Sequence, residues 1–139
     1  MYVKADINGV EMKRVLVNNG AGVNILPLRT LKKIGLEIHN LEKADAIMTD
    51  FVGHDRALEG FIMLNVKVGK HELHGGFFVM DVKTNYNVLL GRDWIHSNAC
   101  VLSSLHQMLF IWRPEGDVEV IHGDPSPFGE EAFHAEAMC

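Results

Sequence analysis

The chain has 139 residues, with 13 Lys and Arg against 18 Asp and Glu, a net charge of −5 and 47% hydrophobic residues. These values are typical of one globular domain with a core of its own. The acidic balance argues against a phosphate-binding surface, since Lys13-Arg14 and Lys32-Lys33 are the longest basic runs. We therefore expect no nucleic-acid partner.

The sequence shows no secretory signal and no apolar run long enough to span a membrane. Cys100 and Cys139 are far apart, which suits a reducing compartment better than a disulfide scaffold. His71 and His74 are the nearest histidine pair, but strand residues three apart face opposite sides and no third ligand accompanies them. We expect a soluble intracellular protein, in the cytoplasm or a particle, with no membrane partner, metal or cofactor.

The first elements are strands. Tyr2–Ile7 alternates as a half-buried strand does, and Val10–Val17 returns after Asn8-Gly9, which favours a type I′ hairpin turn. The stretch Val15–Leu26 then predicts strand, tight loop and strand, because two apolar runs flank a polar turn with glycines. Such a loop holds the side chains of residues 18 and 19 at an exposed tip.

A short helix follows. Pro27 suits a first helical position, Leu28, Leu31 and Ile34 recur at helical spacing, and Gly35 is a natural terminator. The pattern beyond it predicts strands at Ala44–Val52, Arg56–Val68, His71–Leu73 and Phe77–Val82. The first two meet at Gly53-His54-Asp55 and form a projecting hairpin.

The second half repeats the pattern of an apolar run followed by glycine. Asn87–Gly91 leads into a predicted helix at Arg92–Ser97, with Trp94 and Ile95 available to the core. Cys100–Leu102 and Met108–Trp112 predict two further strands, and Asp117–Ile121 is a candidate for one more. Because proline and acidic residues increase beyond Arg113, we expect a domain at 1–113 and a C-terminal extension or linker at 114–139.

Two motifs resemble the retropepsin-like (retroviral-type) aspartic proteases. Val15–Ala21 resembles the active-site strand and loop of that family, and Val88–Trp94 resembles its second signature, a hydrophobic pair and Gly followed by Arg and Asp. Pro27–Leu31 and Leu105–Gln107 are similar to the protease segment of plant retroelement polyproteins in particular. The resemblance covers Tyr2 to Trp112, with the two signatures in the correct order.

The resemblance implies a mostly β, closed-barrel acid protease fold with one or two short helices, working as a homodimer. Each subunit would supply one loop to an active site on the two-fold axis. The resemblance implies that Asn18, Asn19 and Gly20 form the catalytic loop and that Ala21 and Gly22 line the peptide groove. It implies a flap at Phe51, Val52, Gly53 and His54. Arg92 and Asp93 would brace the loop and the dimer interface.

Asn18 occupies the position of the catalytic aspartate. The family's chemistry needs two aspartates that share one proton, and an amide has no proton to titrate in this range. We therefore expect an intact dimer and peptide groove with little or no proteolysis. Asn18 is either an engineered inactivation or natural drift, and Leu102, where the plant pattern has proline, hints at drift.

Three functional hypotheses follow. The first is an aspartic endopeptidase domain of a retroelement polyprotein, which cleaves peptide bonds when residue 18 is aspartate. The second is a repurposed pseudo-protease that acts as a dimerisation or peptide-binding module. The third is a plain β-barrel without a groove.

Overall fold

The computed structural model describes residues 1–43 and 58–128. Within these ranges the chain is mostly β. Its strands are β1 (Tyr2–Ile7), β2 (Val10–Val17), β3 (Asn24–Pro27), β4 (Leu58–Val68), β5 (His71–Met80), β6 (Val88–Leu90), β7 (Cys100–Ser103), β8 (Met108–Trp112) and β9 (Val118–His122). Its helices are α1 (Leu28–Lys33), α2 (Arg92–Ser97) and one 3₁₀ turn at Ile38–Asn40. None of the helices described is long and apolar enough to cross a membrane.

Six strands close a barrel in the order β1-β2-β6-β3-β5-β4, and β4 pairs back onto β1. Strand β6 is central, because it runs parallel to β2 and antiparallel to β3. The register pairs Val15 with Val88 and Val17 with Leu90, so β2 and β6 end at the same edge of the barrel. The loop after β2 therefore lies beside the start of α2.

The predicted β1–β2 hairpin is confirmed. Asn8 and Gly9 both have positive φ, 51° and 82°, as a type I′ turn requires. The Asn8 side chain also accepts a 2.8 Å hydrogen bond from the N–H of Asn65, which ties the turn to β4. Gly35, at φ 88°, ends the predicted helix α1.

Two boundary predictions are wrong. We expected separate strands at His71–Leu73 and Phe77–Val82, whereas β5 is continuous from His71 to Met80. The glycines that interrupt its apolar pattern lie inside the strand, where the Phe61 ring occupies the space that a Cβ of Gly76 would take. Pro27 ends β3 with an extended backbone (ψ 145°), one residue before the helix.

The core fills the barrel and extends under the C-terminal sheet. The largest fully buried side chains are those of Val3, Ile7, Met12, Leu26, Leu31, Leu64, Phe77, Leu90, Trp94, Leu109 and Ile111. Leu109 and Ile111 come from β8, the middle strand of the sheet β7-β8-β9. Strand β9 confirms the candidate strand near Asp117–Ile121.

The opposite face of that sheet is apolar and exposed. Val101, Trp112 and Val120 are 53%, 48% and 43% exposed. Val101 and Val120 flank Phe110 in the register of the three strands. After β9 the chain returns to the barrel, where the N–H of Asp124 donates to the carbonyl of Tyr2 at 2.7 Å.

Candidate active-site loop

The loop at residues 18–22 folds around the Asn18 side chain. Its Oδ1 accepts a 2.8 Å hydrogen bond from the N–H of Gly20, and its backbone N–H donates to the Leu90 carbonyl at 3.0 Å. A Cβ at Gly20 would lie 3.0 Å from Asn18 Oδ1, closer than side chains normally pack. Asn18, Asn19 and Gly20 are exposed, so the loop presents its tip to solvent.

This hydrogen bond fixes the orientation of the Asn18 amide. The backbone N–H of Gly20 is a donor, so the atom facing it must be the amide oxygen. The Nδ2 group then points the other way and has no hydrogen-bond partner among the residues that the structure describes. The tip therefore offers an N–H donor to a ligand.

The first turn of α2 holds the loop from behind. The N–H of Arg92 donates to the Ala21 carbonyl at 2.7 Å, and the N–H of Asp93 donates to the Gly22 carbonyl at 3.3 Å. The Arg92 guanidinium adds a bond to the Asn19 carbonyl at 3.3 Å. Because three loop carbonyls are bound by two consecutive helix residues, the loop and α2 form one unit.

Gly91, at the junction of β6 and α2, makes this approach possible. An added Cβ would lie 2.3 Å from the Val23 carbonyl oxygen and 2.7 Å from that of Ala21. Its φ of −92° is open to any residue, so the requirement for glycine comes from the close contact and not from the backbone angle. Gly91, which belongs to the second signature, thus leaves the space that the loop of the first signature needs to approach α2.

Asn24 is a supporting residue that the sequence analysis did not single out. It is fully buried, and its Oδ1 accepts from the N–H of Gly91 at 2.9 Å. Its Nδ2 donates to the Gly76 carbonyl at 3.0 Å and to Asp93 Oδ2 at 3.2 Å. The Asn24 side chain thus connects β3, β5 and the start of α2. The sequence feature that could have identified it is a polar residue at the start of an apolar run, since a buried polar side chain needs hydrogen-bond partners.

The structure brings Asn18, Asn19, Gly20, Ala21 and Gly22 together with Arg92 and Asp93. Phe51, Val52, Gly53 and His54, predicted to form the flap, lie outside the described residues.

Other chemistry is sparse in the described part of the chain. Within residues 1–43 and 58–128, no three His, Cys, Asp or Glu side chains are placed to hold a metal ion. Burial raises the pKa of the Cys100 thiol to about 12, so this thiol stays protonated near neutral pH and is a poor nucleophile. The Asp93 carboxylate lies in α2 and accepts a hydrogen bond from Asn24 Nδ2 through Oδ2, so it is not on the loop that carries residue 18.

Comparison with known proteins agrees with this geometry. Residues 3–97 match the family described as "gag-polyprotein putative aspartyl protease". No curated protein matches the sequence. The retroviral protease-like domain of Ddi1 from Leishmania major is similar in structure, with a TM-score of 0.63 and 22% identity, over 87% of this chain and 92% of that one.

A second solved structure is a retropepsin-like aspartic protease from Rickettsia conorii. Its TM-score is 0.57 at 20% identity, and the match covers 86% of this chain and 79% of that one. At these identities the two structures show a shared retropepsin-like fold.

Proposed function

This chain belongs to the gag-polyprotein aspartyl protease family, and from that premise we propose that it is the protease domain of a retroelement polyprotein, inactive as written because Asn18 replaces the catalytic aspartate. The observation that carries the proposal is the position of Asn18 at the exposed tip of a loop held by α2. The side chain is bound to Gly20 N–H at 2.8 Å, with its remaining polar group open to a ligand.

The chemistry at residue 18 explains the proposed inactivity. In an aspartic protease one carboxylate takes a proton from water while the other, protonated, binds the scissile carbonyl. The Asn18 amide can form hydrogen bonds but cannot accept that proton. Loss of a general base lowers the rate by roughly 10²–10⁴, and loss of both members of the pair costs more.

We propose that the functional unit is a homodimer, because each chain contributes one such loop. The partner would be a second copy of this chain, and the ligand a peptide or a polyprotein segment, with no cofactor. The sheet β7-β8-β9 has an exposed apolar face, which supports an interface there. We call it the outer face and define it by Val101, Phe110, Trp112, Val118 and Val120. The sheet follows α2 in the chain, and its first strand, β7, contacts α2, the helix that holds the loop.

The roles of the remaining residues belong to the same proposal. Ala21 and Gly22 would line the groove beside the tip. Arg92 and Asp93 would brace the loop through the contacts described above. The segment containing Phe51–His54 would close over the peptide.

The test is restoration of the carboxylate. We expect Asn18→Asp to cleave a peptide library at mildly acidic pH, at a rate at least about 10²-fold above the unmodified chain. The matched control is Asn19→Asp, which places the same charge one residue away and should stay inactive. Both are assayed by mass spectrometry of the cleaved library, and the oligomeric state is measured in parallel.

Two results would contradict the proposal. A strictly monomeric Asn18→Asp protein at micromolar concentration would remove the two-chain site. A dimeric Asn18→Asp protein that cuts nothing would favour the alternative, a pseudo-protease that acts as a dimerisation or peptide-binding module.

A further inference from the structure

The Asn18 side chain gives the tip a hydrogen-bond donor that needs no shared proton. An ionised aspartate offers only acceptors, and a pair of aspartates donates only through the one proton that they share. Asn18 Oδ1 already accepts from Gly20 N–H at 2.8 Å, and its Nδ2 group is a donor without a partner among the described residues. The free group at this tip is therefore one that binds a ligand with an acceptor.

The charges around the loop favour an anionic acceptor. Asn18 carries no charge, whereas Arg92 remains cationic and binds the Asn19 carbonyl of the same loop at 3.3 Å. Asp93, the neighbouring carboxylate, is bound to Asn24 Nδ2 at 3.2 Å. The Arg92 cation thus contacts the loop directly, whereas the described contact of the Asp93 carboxylate is with Asn24 and not with the loop.

We propose that the Asn18 amides form a binding site for a peptide carboxylate. The inference rests on the proposed homodimer, in which the two loops face each other and supply one amide donor each. A carboxylate has two acceptor oxygens for the two donors and a negative charge for Arg92. A carboxamide would bring its own N–H₂ group against one of the donors.

The site then recognises the chemical group that peptide hydrolysis produces, a new carboxylate. The chain would bind without cutting, and it would prefer a peptide that presents a carboxylate to one that has none. This specificity differs from that of the aspartate form, whose carboxylates would repel the same ligand at neutral pH.

The experiment compares three pools of acetylated hexapeptides at pH 7 by equilibrium dialysis with mass spectrometry. The first pool lacks Asp and Glu and ends in a free carboxylate. The second has the same sequences with C-terminal amides. The third is amidated and carries one internal Glu, which separates a side-chain carboxylate from a chain terminus as the source.

We expect the free-acid pool, the Glu pool or both to bind at least about tenfold more tightly than the neutral amides, as a charge-assisted hydrogen bond would give. Asn18→Ala should remove most of this preference, and Asn18→Asp should abolish or reverse it. The control Asn85→Ala changes an exposed asparagine outside the loop and should leave the preference unchanged.

Equal binding of the three pools, binding of none, or an unchanged preference in Asn18→Ala would overturn the inference. These outcomes are separate from failure of the proposed function, which is decided by cleavage in Asn18→Asp and by the oligomeric state. If the Asn18→Asp variant gains activity but the unmodified chain shows no carboxylate preference, only the ligand assignment is refuted.

Discussion

At the scale of single residues, Asn18 separates the determinants of the fold from those of the chemistry. The bond from Gly20 N–H to Asn18 Oδ1 needs only an acceptor, and the amide oxygen supplies one at 2.8 Å. An aspartate could accept the same bond, so this loop is compatible with either asparagine or aspartate at position 18. What the amide lacks is a titratable proton, and this affects the chemistry of the site and not the fold.

Asn24 is expected to contribute strongly to stability. Asn24→Leu roughly keeps the side-chain volume but removes the side-chain partner of the buried Gly91 N–H and of the partly buried Gly76 carbonyl. We predict a loss of about 2–4 kcal/mol in the free energy of unfolding, measured by urea denaturation. Asn85→Leu, at an exposed position, is the control and should change it by less than about 0.5 kcal/mol. Equal effects of the two substitutions would contradict this role.

Gly91 and Gly35 require glycine for two different reasons, a close contact at Gly91 and a positive φ at Gly35. Gly91→Ala would place a Cβ 2.3 Å from the Val23 carbonyl oxygen, whereas Gly35→Ala meets nothing within 4 Å and only strains a φ of 88°. We predict a destabilisation of about 3 kcal/mol or more for Gly91→Ala and about 1–2 kcal/mol for Gly35→Ala. Urea denaturation of the two variants measures the difference, and the reverse order would show that the contact at Gly91 is easily relieved.

At the scale of elements, local signals predicted most strands and both helices. Asn8-Gly9 specifies its turn through two residues that tolerate positive φ, and Gly35 ends α1 for a similar reason. The continuity of β5 could not be predicted from local sequence. The need for glycine at position 76 comes from the ring of Phe61 on the paired strand β4, which fills the space of a Cβ. The supporting role of Asn24 could not be predicted for the same reason, because its partners Gly76, Gly91 and Asp93 are distant in sequence.

The proposed homodimer can be tested at the outer face of β7-β8-β9. Val120 lies on this face and is 43% exposed, so Val120→Lys should leave the monomer folded while it places a charge in the proposed interface. We predict a shift from dimer to monomer in analytical ultracentrifugation.

The matched control for the outer face is Ile38→Lys. Ile38 is 47% exposed in the 3₁₀ turn, outside the C-terminal sheet, and the substitution should leave the dimer intact. A dimer that survives Val120→Lys would show that the interface lies elsewhere.

At the scale of the whole molecule, the parallel pairing of β2 with β6 brings the two sequence signatures together. Val17 pairs with Leu90, and the loop that follows β2 is then bound by α2, which follows β6. Periodicity and turn residues predict strands but do not specify which distant strands pair. The resemblance to a known family implied a closed barrel and a loop braced by Arg92 and Asp93, but it did not specify this strand pairing.

Mixing two forms of the chain shows whether one active site needs residue 18 of both copies. Asn18→Asp protein and unmodified protein are combined, unfolded, refolded together at constant total concentration, and assayed for peptide cleavage. If each active site needs an aspartate from both chains, activity should follow the square of the fraction of Asn18→Asp chains and fall to about one quarter in an equal mixture. Activity proportional to that fraction, about one half in the equal mixture, would show that one chain suffices and would contradict the two-chain site.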